Sequence, residues 1–148
     1  MKILVVNVSL RPMSQEKLFP IGLGYITTAI KRAGFDFDIL DIDCYRYSDE
    51  YISNFLKDNE YDIVCMGCMV TGYKIIKSLA EQIKEFYPKT KIIVGNSVAT
   101  SIVNTLLTKT KVDIAVIGEG DKTIVDLLNT IATGGRLDNV MGISFKDG

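Results

Sequence analysis

The chain has 148 residues, of which 17 are basic and 18 acidic, so its net charge is −1. This balance excludes a basic surface for nucleic acid or an anionic membrane, and we expect neither as a partner. The apolar content of 47% is typical of a folded core. No apolar run reaches the roughly 18 residues of a membrane span or resembles a signal peptide. We therefore expect one soluble, cytoplasmic domain over residues 1–148.

Short apolar runs recur along the chain, and each is followed by a turn and an amphipathic stretch. The runs are KILVVNV (2–8), FDILDI (37–42), DIVCMG (62–67), KIIVG (91–95) and DIAVIG (113–118). Such nearly continuous apolar runs predict strands that are covered on both faces, as in a parallel sheet. The tail VMGISF (140–145) predicts one further short strand.

Three amphipathic stretches predict helices with readable ends. Pro20 suits the first position of one helix, which Gly34 ends. A second helix is predicted between residues 71 and 87, and glycines 134–135 end the third. The apolar residues at helical spacing, which we expect to be core, are Ile21, Tyr25, Ile26, Ala29 and Ile30, then Ile75, Ile76, Leu79, Ile83 and Phe86, then Ile124, Leu127, Leu128 and Ile131.

This alternation predicts an α/β fold with a doubly wound, flavodoxin-like parallel sheet. Right-handed crossovers favour the strand order 2-1-3-4-5, with helices on both faces and the short strand added at the end. Ligands of such sheets bind beyond the carboxyl ends of the strands, where the strand order reverses. The loops at that edge are residues 7–19, 43–48, 67–72, 95–100 and 118–122.

The residue types in these loops exclude several kinds of chemistry. The chain has no histidine, which removes imidazole-based catalysis and most zinc sites. Its three cysteines, Cys44, Cys65 and Cys68, form no disulfide framework. Cys65 lies within the third predicted strand, so we expect the C-x-x-C pair to be small buried hydrophobes; a redox pair or half of a metal site is the alternative.

The loop sequences also exclude the usual ligands of this fold. A dinucleotide needs G-x-G-x-x-G directly after the first strand, whereas Gly22 and Gly24 fall within a helix, where we expect them to allow close packing on the sheet. A Walker loop is missing. Residues 7–9 and 67–69 lack the aspartates of a phospho-acceptor domain, and the first loop has too few hydroxyl groups for a flavodoxin-type phosphate site.

Small residues dominate three of the loops: GCMVTGY (67–73), GNSVAT (95–100) and GEGDKT (118–123). Such loops suit a large, flat and mostly apolar ligand that enters between the strand ends. No nucleophile and base can be paired from them, so we expect neither a catalytic residue nor a protein ligand to a metal in this chain.

Five motifs in order resemble the N-terminal cobalamin-binding domain of radical S-adenosylmethionine enzymes. FPIGLGYITTAIKRAGFDFDILD (19–41) is similar to the family's PLGLLYLAAxLxxAGHEVxxxD, and DIVCMGCMVT (62–71) to its DVVGISxMT. KEFYPKTKIIVGNSVAT (84–100), VDIAVIGEGDKTIVDLL (112–128) and VMGISFKDG (140–148) resemble the remaining three motifs. Each motif alone is weak, but five at the right spacing identify the family.

The resemblance implies cobalamin as the cofactor and places its site on the strand-end loops. The cofactor-binding residues that we expect are Ser9, Leu10, Met69, Val70, Thr71, Gly72, Gly95, Asn96, Ser97, Gly118, Glu119 and Gly120. In the family the GEG turn lies beside the nucleotide tail of the cofactor, and its glycines permit close approach. The resemblance implies that Glu119 accepts hydrogen bonds from amides or caps the next helix; a purely structural turn is the alternative.

The missing histidine gains a meaning from this resemblance. Related domains of the methionine-synthase type carry a D-x-H-x-x-G motif after the first strand, and its histidine coordinates cobalt from below. This chain has VNVSLRPM (6–13) at that point, so the resemblance implies base-off cobalamin without a protein histidine. Cys65, Gly67 and Asn96 depart from the family pattern. They leave open the alternative of a degenerate domain that does not bind cobalamin and serves as a substrate-positioning or protein-interaction module.

The family's chemistry lies in a second domain with a C-x-x-x-C-x-x-C iron–sulfur motif. No such motif is present in these 148 residues, so we expect this chain to be a cofactor module without its catalytic domain. The resemblance implies that an iron–sulfur cluster and S-adenosylmethionine belong to that C-terminal domain. It also implies that methyl transfer or a related radical reaction takes place there.

Overall fold

A computed structural model describes residues 1–17 and 19–146, which leaves Leu18 and the last two residues of the KDG motif outside the description. The strands are β1 (Ile3–Asn7), β2 (Phe37–Asp41), β3 (Ile63–Gly67), β4 (Lys91–Gly95), β5 (Ile114–Val116) and β6 (Ile143–Phe145). The helices are α1 (Ile21–Arg32), α2 (Ile42–Tyr45), α3 (Asp49–Asp58), α4 (Tyr73–Phe86), α5 (Asn96–Ser101), α6 (Val103–Lys109) and α7 (Asp121–Ala132). Short 3₁₀ turns cover Val70–Gly72 and Leu137–Asn139.

The strands form one sheet in the order β2-β1-β3-β4-β5-β6. All neighbouring pairs from β2 to β5 are parallel, and β6 adds antiparallel to β5, with Ile114 opposite Phe145. The predicted fold class, strand order and extra strand are thus confirmed. Because β1 has neighbours on both sides that come later in the chain, the strand order reverses at β1 and β3.

Alternating side chains of the strands supply two apolar cores. Leu4 and Val6 point to one face of the sheet, where they pack with α3, α4, α5 and α6. Ile3 and Val5 point to the other face, which α1 and α7 cover. This two-sided burial is what the continuous apolar runs predict for a parallel sheet.

Strand β2 departs from that prediction, because it forms the edge of the sheet. Asp38 is exposed and Ile39 is 46% exposed, whereas Leu40 is buried. An edge strand has a neighbour on one side alone, so the helices of the two layers cover it less completely than the central strands.

The helix ends follow the predicted signals with small shifts. Pro20 caps α1 and the helix begins one residue later, while Gly34 follows its end at a φ of 88°. Gly134 follows the end of α7 at a φ of 67°. Helix α4 ends at Phe86, just before the predicted Pro88 stop. No helix in the described ranges is long and apolar enough to cross a membrane.

Two of the predicted loops contain helices. Residues 95–100 form the end of β4 and nearly all of α5, and residues 43–48 include most of α2. Strand β4 passes into α5 without a linker because Asn96 turns the chain at a φ of 68°. A non-glycine residue in this left-handed region leaves no signal in hydrophobic periodicity, so the sequence pattern did not reveal the sharp turn.

Candidate functional site

A cavity of about 960 Å³ opens at the carboxyl edge of the sheet. It lies between the ends of the central strands and the first turns of α1 and α7. This is the edge, and the point of strand reversal, at which doubly wound sheets bind ligands. The volume is at the upper end of the roughly 300–1,000 Å³ that is usual for small-molecule sites.

The deep part of the cavity is apolar. Its wall contains Val8, Cys65, Ile93, Val116 and Ile124, all at most 6% exposed. These side chains come from the end of β1, from β3, β4 and β5, and from α7, so several elements must be correctly packed before the wall exists. Because these side chains are already buried, the apolar area that a ligand would remove from water belongs to other lining residues, such as Tyr25 and Met69, which are 67% and 56% exposed.

The mouth of the cavity is polar and open to solvent. Arg11, Glu119 and Asp121 line it with exposed side chains, and Asn96 lies beside them at the start of α5. Two buried polar residues also line the cavity, and both have partners. Asn7 donates a hydrogen bond to Asp41 at 2.8 Å, and Asp43 pairs with Arg46 at 3.0 Å. An apolar interior below a polar rim suits a ligand with an aromatic part and a hydrogen-bonding part.

The structure brings together seven of the twelve predicted cofactor-binding residues. Those that line the cavity are Leu10, Met69, Gly95, Asn96, Gly118, Glu119 and Gly120. The other five, which are absent from its lining, are Ser9, Val70, Thr71, Gly72 and Ser97. The predicted turns are therefore at the site, although their residues do not all face it.

Gly72 has a packing role beside the cavity. A Cβ placed on it would lie 2.6 Å from both the Cys68 Sγ and the Leu10 Cδ2 atoms, so a larger residue would displace them. Gly72 thus lets Leu10, which does line the cavity, settle against the 3₁₀ turn. Val70 and Thr71 of that turn are exposed to solvent.

Glycines keep the strand ends close together around the cavity. Gly67 and Gly95 are register partners on β3 and β4, and a Cβ on Gly67 would lie 3.0 Å from the Gly95 carbonyl oxygen. A Cβ on Gly120 would lie 3.2 Å from the Ile26 Cδ1 atom and 3.3 Å from the Val116 Cγ1 atom. Side chains at these positions would narrow the opening or force the strands apart.

Asn96 combines a left-handed backbone with a side chain at the cavity. Its Oδ1 atom accepts a hydrogen bond from the Ser97 backbone N–H at 2.6 Å. Asparagine tolerates this conformation better than most residues, because its short polar side chain bonds locally. The position therefore favours glycine or asparagine for backbone reasons, and the asparagine adds its side chain to the lining.

A helix-capping role for Glu119 is wrong for this structure, whereas its role as an acceptor for amides stays a prediction. Among the described residues its carboxylate makes no hydrogen bond and no ion pair. The residue that caps α7 is Gly120, and no side chain caps that helix. The turn is held instead by the Gly118 N–H, which donates to the Thr100 Oγ1 atom at 3.0 Å. Glu119 is free to face a ligand.

The first half of α1 belongs to the cavity, which the sequence pattern did not predict. Leu23, Tyr25 and Ile26 line the cavity, while Ile21 is 79% and Tyr25 67% exposed. Within the predicted apolar stripe Ile30 is fully buried, and Ile26 and Ala29 are partly buried against the same core. A stripe at helical spacing has the same periodicity whether it faces a sheet or an open cavity, so the sequence could not distinguish the two.

The prediction that Gly22 and Gly24 allow close packing on the sheet is also wrong. Among the described residues, a Cβ on Gly22 would meet open space, and one on Gly24 would only touch the Phe19 ring at 3.9 Å. Gly22 lines the cavity instead. The absence of side chains here widens the mouth on the α1 side.

The cysteines behave as the predicted buried hydrophobes. Cys65 and Cys68 are 5% and 4% exposed, and both line the cavity. Burial raises the pKa of Cys65 to about 12 and that of Cys68 to about 11, so both thiols stay protonated at neutral pH. Within the described part of the chain, no group of three or more histidine, cysteine or acidic residues could hold a metal ion.

Comparison with known proteins agrees with this geometry. The chain is 28% identical over 97% of its length to the hopanoid C-3 methylase of Methylococcus capsulatus, of which it spans 28%. It is similar to TsrM, a radical S-adenosylmethionine methyltransferase from Kitasatospora setae solved with cobalamin and a [4Fe-4S] cluster, with a TM-score of 0.78 and 18% identity. It is also similar to OxsB, a cobalamin-dependent S-adenosylmethionine radical enzyme solved with aqua-cobalamin, with a TM-score of 0.84 and 19% identity.

These likenesses cover 99% of this chain but only 29% of TsrM and 21% of OxsB. At such identities the two structures establish the fold. The family is established by sequence, because the B12 binding domain profile matches residues 13–128, which are most of the chain. The resemblance read from the five motifs is confirmed, and the chain belongs to the B12 binding domain family.

Proposed function

We propose that this domain binds a cobalamin-class corrinoid, with the nucleotide tail in the cavity between α1 and α7 and the corrin ring over the strand ends. The observation that carries this proposal is the cavity of about 960 Å³, apolar inside and glycine-lined at its mouth. It lies at the carboxyl edge of the sheet, where doubly wound folds bind their ligands, and this position supports the proposal. When bound, cobalamin supplies a cobalt centre that can carry a methyl group.

The residues present fit such a group. The base of the nucleotide tail is a flat aromatic ring, and Ile93, Val116 and Ile124 offer it buried apolar contacts. The periphery of the corrin carries amide groups that donate hydrogen bonds. The exposed carboxylates of Glu119 and Asp121 are acceptors at the mouth, where those amides would meet them.

The chain cannot supply an imidazole to cobalt, because it contains no histidine. The residues of the β1–α1 loop that line the cavity are Val8, Leu10, Arg11 and Pro20. None of their side chains is a cobalt ligand, because a guanidinium keeps its protons and apolar side chains have no donor atom. We infer that the corrinoid is held base-off without a protein nitrogen below the metal. The buried, protonated thiols of Cys65 and Cys68 are likewise poor ligands.

The proposed role in a larger protein is to hold the corrinoid for a radical S-adenosylmethionine domain. The chain spans 28% of the hopanoid methylase that it resembles, which leaves room in such proteins for a domain with its own cluster. The chemistry would be methyl transfer or a related radical reaction on a substrate bound mainly by that domain. The open cavity favours this role over that of a degenerate domain that has lost its cofactor, since a lost site is free to fill with side chains.

The test is reconstitution of the purified domain with hydroxocobalamin, followed by calorimetry and absorption spectroscopy. We expect saturable one-to-one binding and, in the reduced Co(II) form, an electron paramagnetic spectrum without nitrogen splitting. Cobinamide, which lacks the nucleotide tail, is the control ligand, and we expect it to bind at least about tenfold more weakly. Colourless protein with no heat of binding would reject the proposed cofactor role. Nitrogen splitting would show that the cofactor's own base coordinates cobalt, and it would reject the base-off state.

A further inference from the structure

The loop between β1 and α1 is the least regular wall of the cavity. Its described residues, 8–17 and 19–20, form no helix or strand. Within them the structure has one backbone hydrogen bond, from the Ser14 N–H to the Arg11 carbonyl at 3.0 Å, and a side-chain bond from the Glu16 N–H to Ser14 Oγ at 3.2 Å. The loop nevertheless contributes Leu10 to the cavity lining, so something outside it must fix its path.

Arg46, the residue that ends α2, provides that support. Its guanidinium donates to the Ser9 Oγ atom, to the Arg11 carbonyl at 2.9 Å and to the Glu16 carbonyl at 3.1 Å, with a longer contact to the Ser14 carbonyl at 3.4 Å. These contacts span the loop from its start to beyond its middle. One planar group with five N–H donors can serve several acceptors at once, which a lysine ammonium cannot do in the same geometry.

The guanidinium is itself held in place by a carboxylate. Asp43 lies three residues before Arg46 and accepts from it at 3.0 Å. Asp43 is buried and lines the cavity, and the side chain of Arg46 is 20% exposed. The pair thus connects the α2 turn with the β1–α1 loop directly behind the cavity wall.

The backbone of Arg46 adds an independent observation. It has a φ of 53° and a ψ of 43°, and its N–H donates to the Ile42 carbonyl at 2.9 Å to close α2. This left-handed conformation is easy for glycine and strained for an arginine. The strained residue carries a long side chain that donates to several acceptor oxygens. This combination indicates that the side chain has a role that offsets the backbone strain.

We propose that Arg46 is a positioning residue that locks the β1–α1 loop in the path that lines the cavity. The lock acts through Leu10, which stands between the anchored Ser9 and Arg11 and packs against the 3₁₀ turn beside Gly72. Without it the loop would leave the cavity wall and expose the cavity on the β1 side. The effect on ligand affinity rests on the proposed corrinoid function, whereas the effect on the loop does not.

The test compares Arg46→Gly, Arg46→Lys and the control Arg136→Ala. Glycine suits the backbone at position 46, so Arg46→Gly removes the contacts while it relieves the strain and preserves the fold, as circular dichroism would verify. Arg136 is exposed and pairs with the nearby Asp138 alone among the described residues.

The first measurement is limited trypsinolysis of the domain at the bond after Lys17, quantified by mass spectrometry. The bond after Arg11 precedes proline and resists cleavage.

We expect cleavage after Lys17 to accelerate about tenfold in Arg46→Gly, by nearly as much in Arg46→Lys, and not at all in Arg136→Ala. Cleavage of Arg46→Gly at the wild-type rate would overturn the lock. Cleavage of Arg46→Lys at the wild-type rate would show that the several N–H donors of the guanidinium are not needed to hold the loop.

The second measurement is the Kd of hydroxocobalamin, which we expect to rise about tenfold in Arg46→Gly. Faster cleavage with an unchanged Kd would overturn the connection between the loop and the cavity. A wild-type domain that binds no hydroxocobalamin would defeat the proposed function, and the trypsin rates would then decide the role of Arg46 by themselves.

Discussion

The two faces of the sheet differ in how soon a helix begins after the carboxyl end of the strand before it. On one face α5 begins directly after β4, and its Val98 and Ala99 are fully buried against the strand ends. The Val98 N–H donates to the Cys68 carbonyl at 3.1 Å, which holds the start of α5 against the segment that follows β3. On the other face α1 starts only after a long loop, and its first turns stand over a cavity.

This difference shows how one fold provides both stability and a site. A helix that follows its strand at once must pack against the strand end, and this leaves no space there. A helix that is reached through a loop can begin farther from the sheet, and the space between them remains open. The apolar side chains that the chain cannot cover by itself are those that a ligand would cover.

The largest expected effect comes from filling the open face. Ile26→Trp places a large ring at the cavity mouth beside Gly120, where an added carbon already lies 3.2 Å from the Ile26 side chain. We expect the affinity for hydroxocobalamin to fall by at least about 100-fold, measured by calorimetry. The control is Ile39→Trp on the exposed edge strand β2, which should bind normally. Equal affinities of the two variants would show that the cavity is not the site.

The two ends of α1 should differ strongly in their contribution to stability. Ile30 is fully buried, so Ile30→Ala should lower the free energy of unfolding by about 2–5 kcal/mol. Ile21 is 79% exposed, so Ile21→Ala should change it by no more than about 0.5 kcal/mol. Urea unfolding followed by circular dichroism measures both values. Similar losses for both variants would contradict the separation of α1 into a core half and a cavity half.

The buried thiols of the cavity wall should make stability decline in mildly alkaline solution. Burial raises the pKa of Cys65 to about 12 in the folded protein, whereas an unfolded thiol ionises near 8.5. The stability contributed by the protonated thiol is therefore complete below pH 8.5 and is lost as the pH rises above it, by up to about 1.4 kcal/mol per pH unit. Cys65→Ala should flatten the decline in urea unfolding between pH 8 and 9.5. The half-exposed Cys44, changed to alanine, is the control, and identical slopes in all three proteins would refute the assignment.

The smallest expected effect comes from Asn96, which forms the turn between β4 and α5. Asn96→Gly removes a side chain from the lining and suits the φ of 68°, so corrinoid affinity should improve several-fold with no loss of stability. Asn96→Ala keeps a Cβ in the left-handed region and loses the bond to the Ser97 N–H, which should destabilise the domain by about 1–2 kcal/mol. Calorimetry and thermal unfolding measure the two results. An Asn96→Gly variant with unchanged affinity would mean that the asparagine does not crowd the site.

Much of the fold could be predicted because the apolar composition of each strand reflects how many of its faces are buried. Runs such as KIIVG (91–95) are apolar at every position only when both faces are covered, and the strand order then follows from the handedness of the crossovers. The turns that reach the cavity were predictable too, since the glycines at 95, 118 and 120 lie at or just after the ends of β4 and β5, and all three line the cavity.

Other features depended on contacts between distant segments. Nothing in the spacing of Ile21, Tyr25 and Ile26 distinguishes a core stripe from a cavity wall. Arg46 was not singled out either, because its importance comes from acceptors that lie 30 to 37 residues away in the chain.

The amino-acid sequence by itself therefore determined the fold class, the strand order and the family of this chain. These follow from local burial patterns and from short motifs whose order the chain preserves. Tertiary structure alone decided which side chains face the cavity, which glycines serve packing and which line the cavity, and how the loop after β1 is held. The physical reason is that the direction of a side chain depends on how helices are offset from the sheet, and that offset is set by packing between segments far apart in the chain.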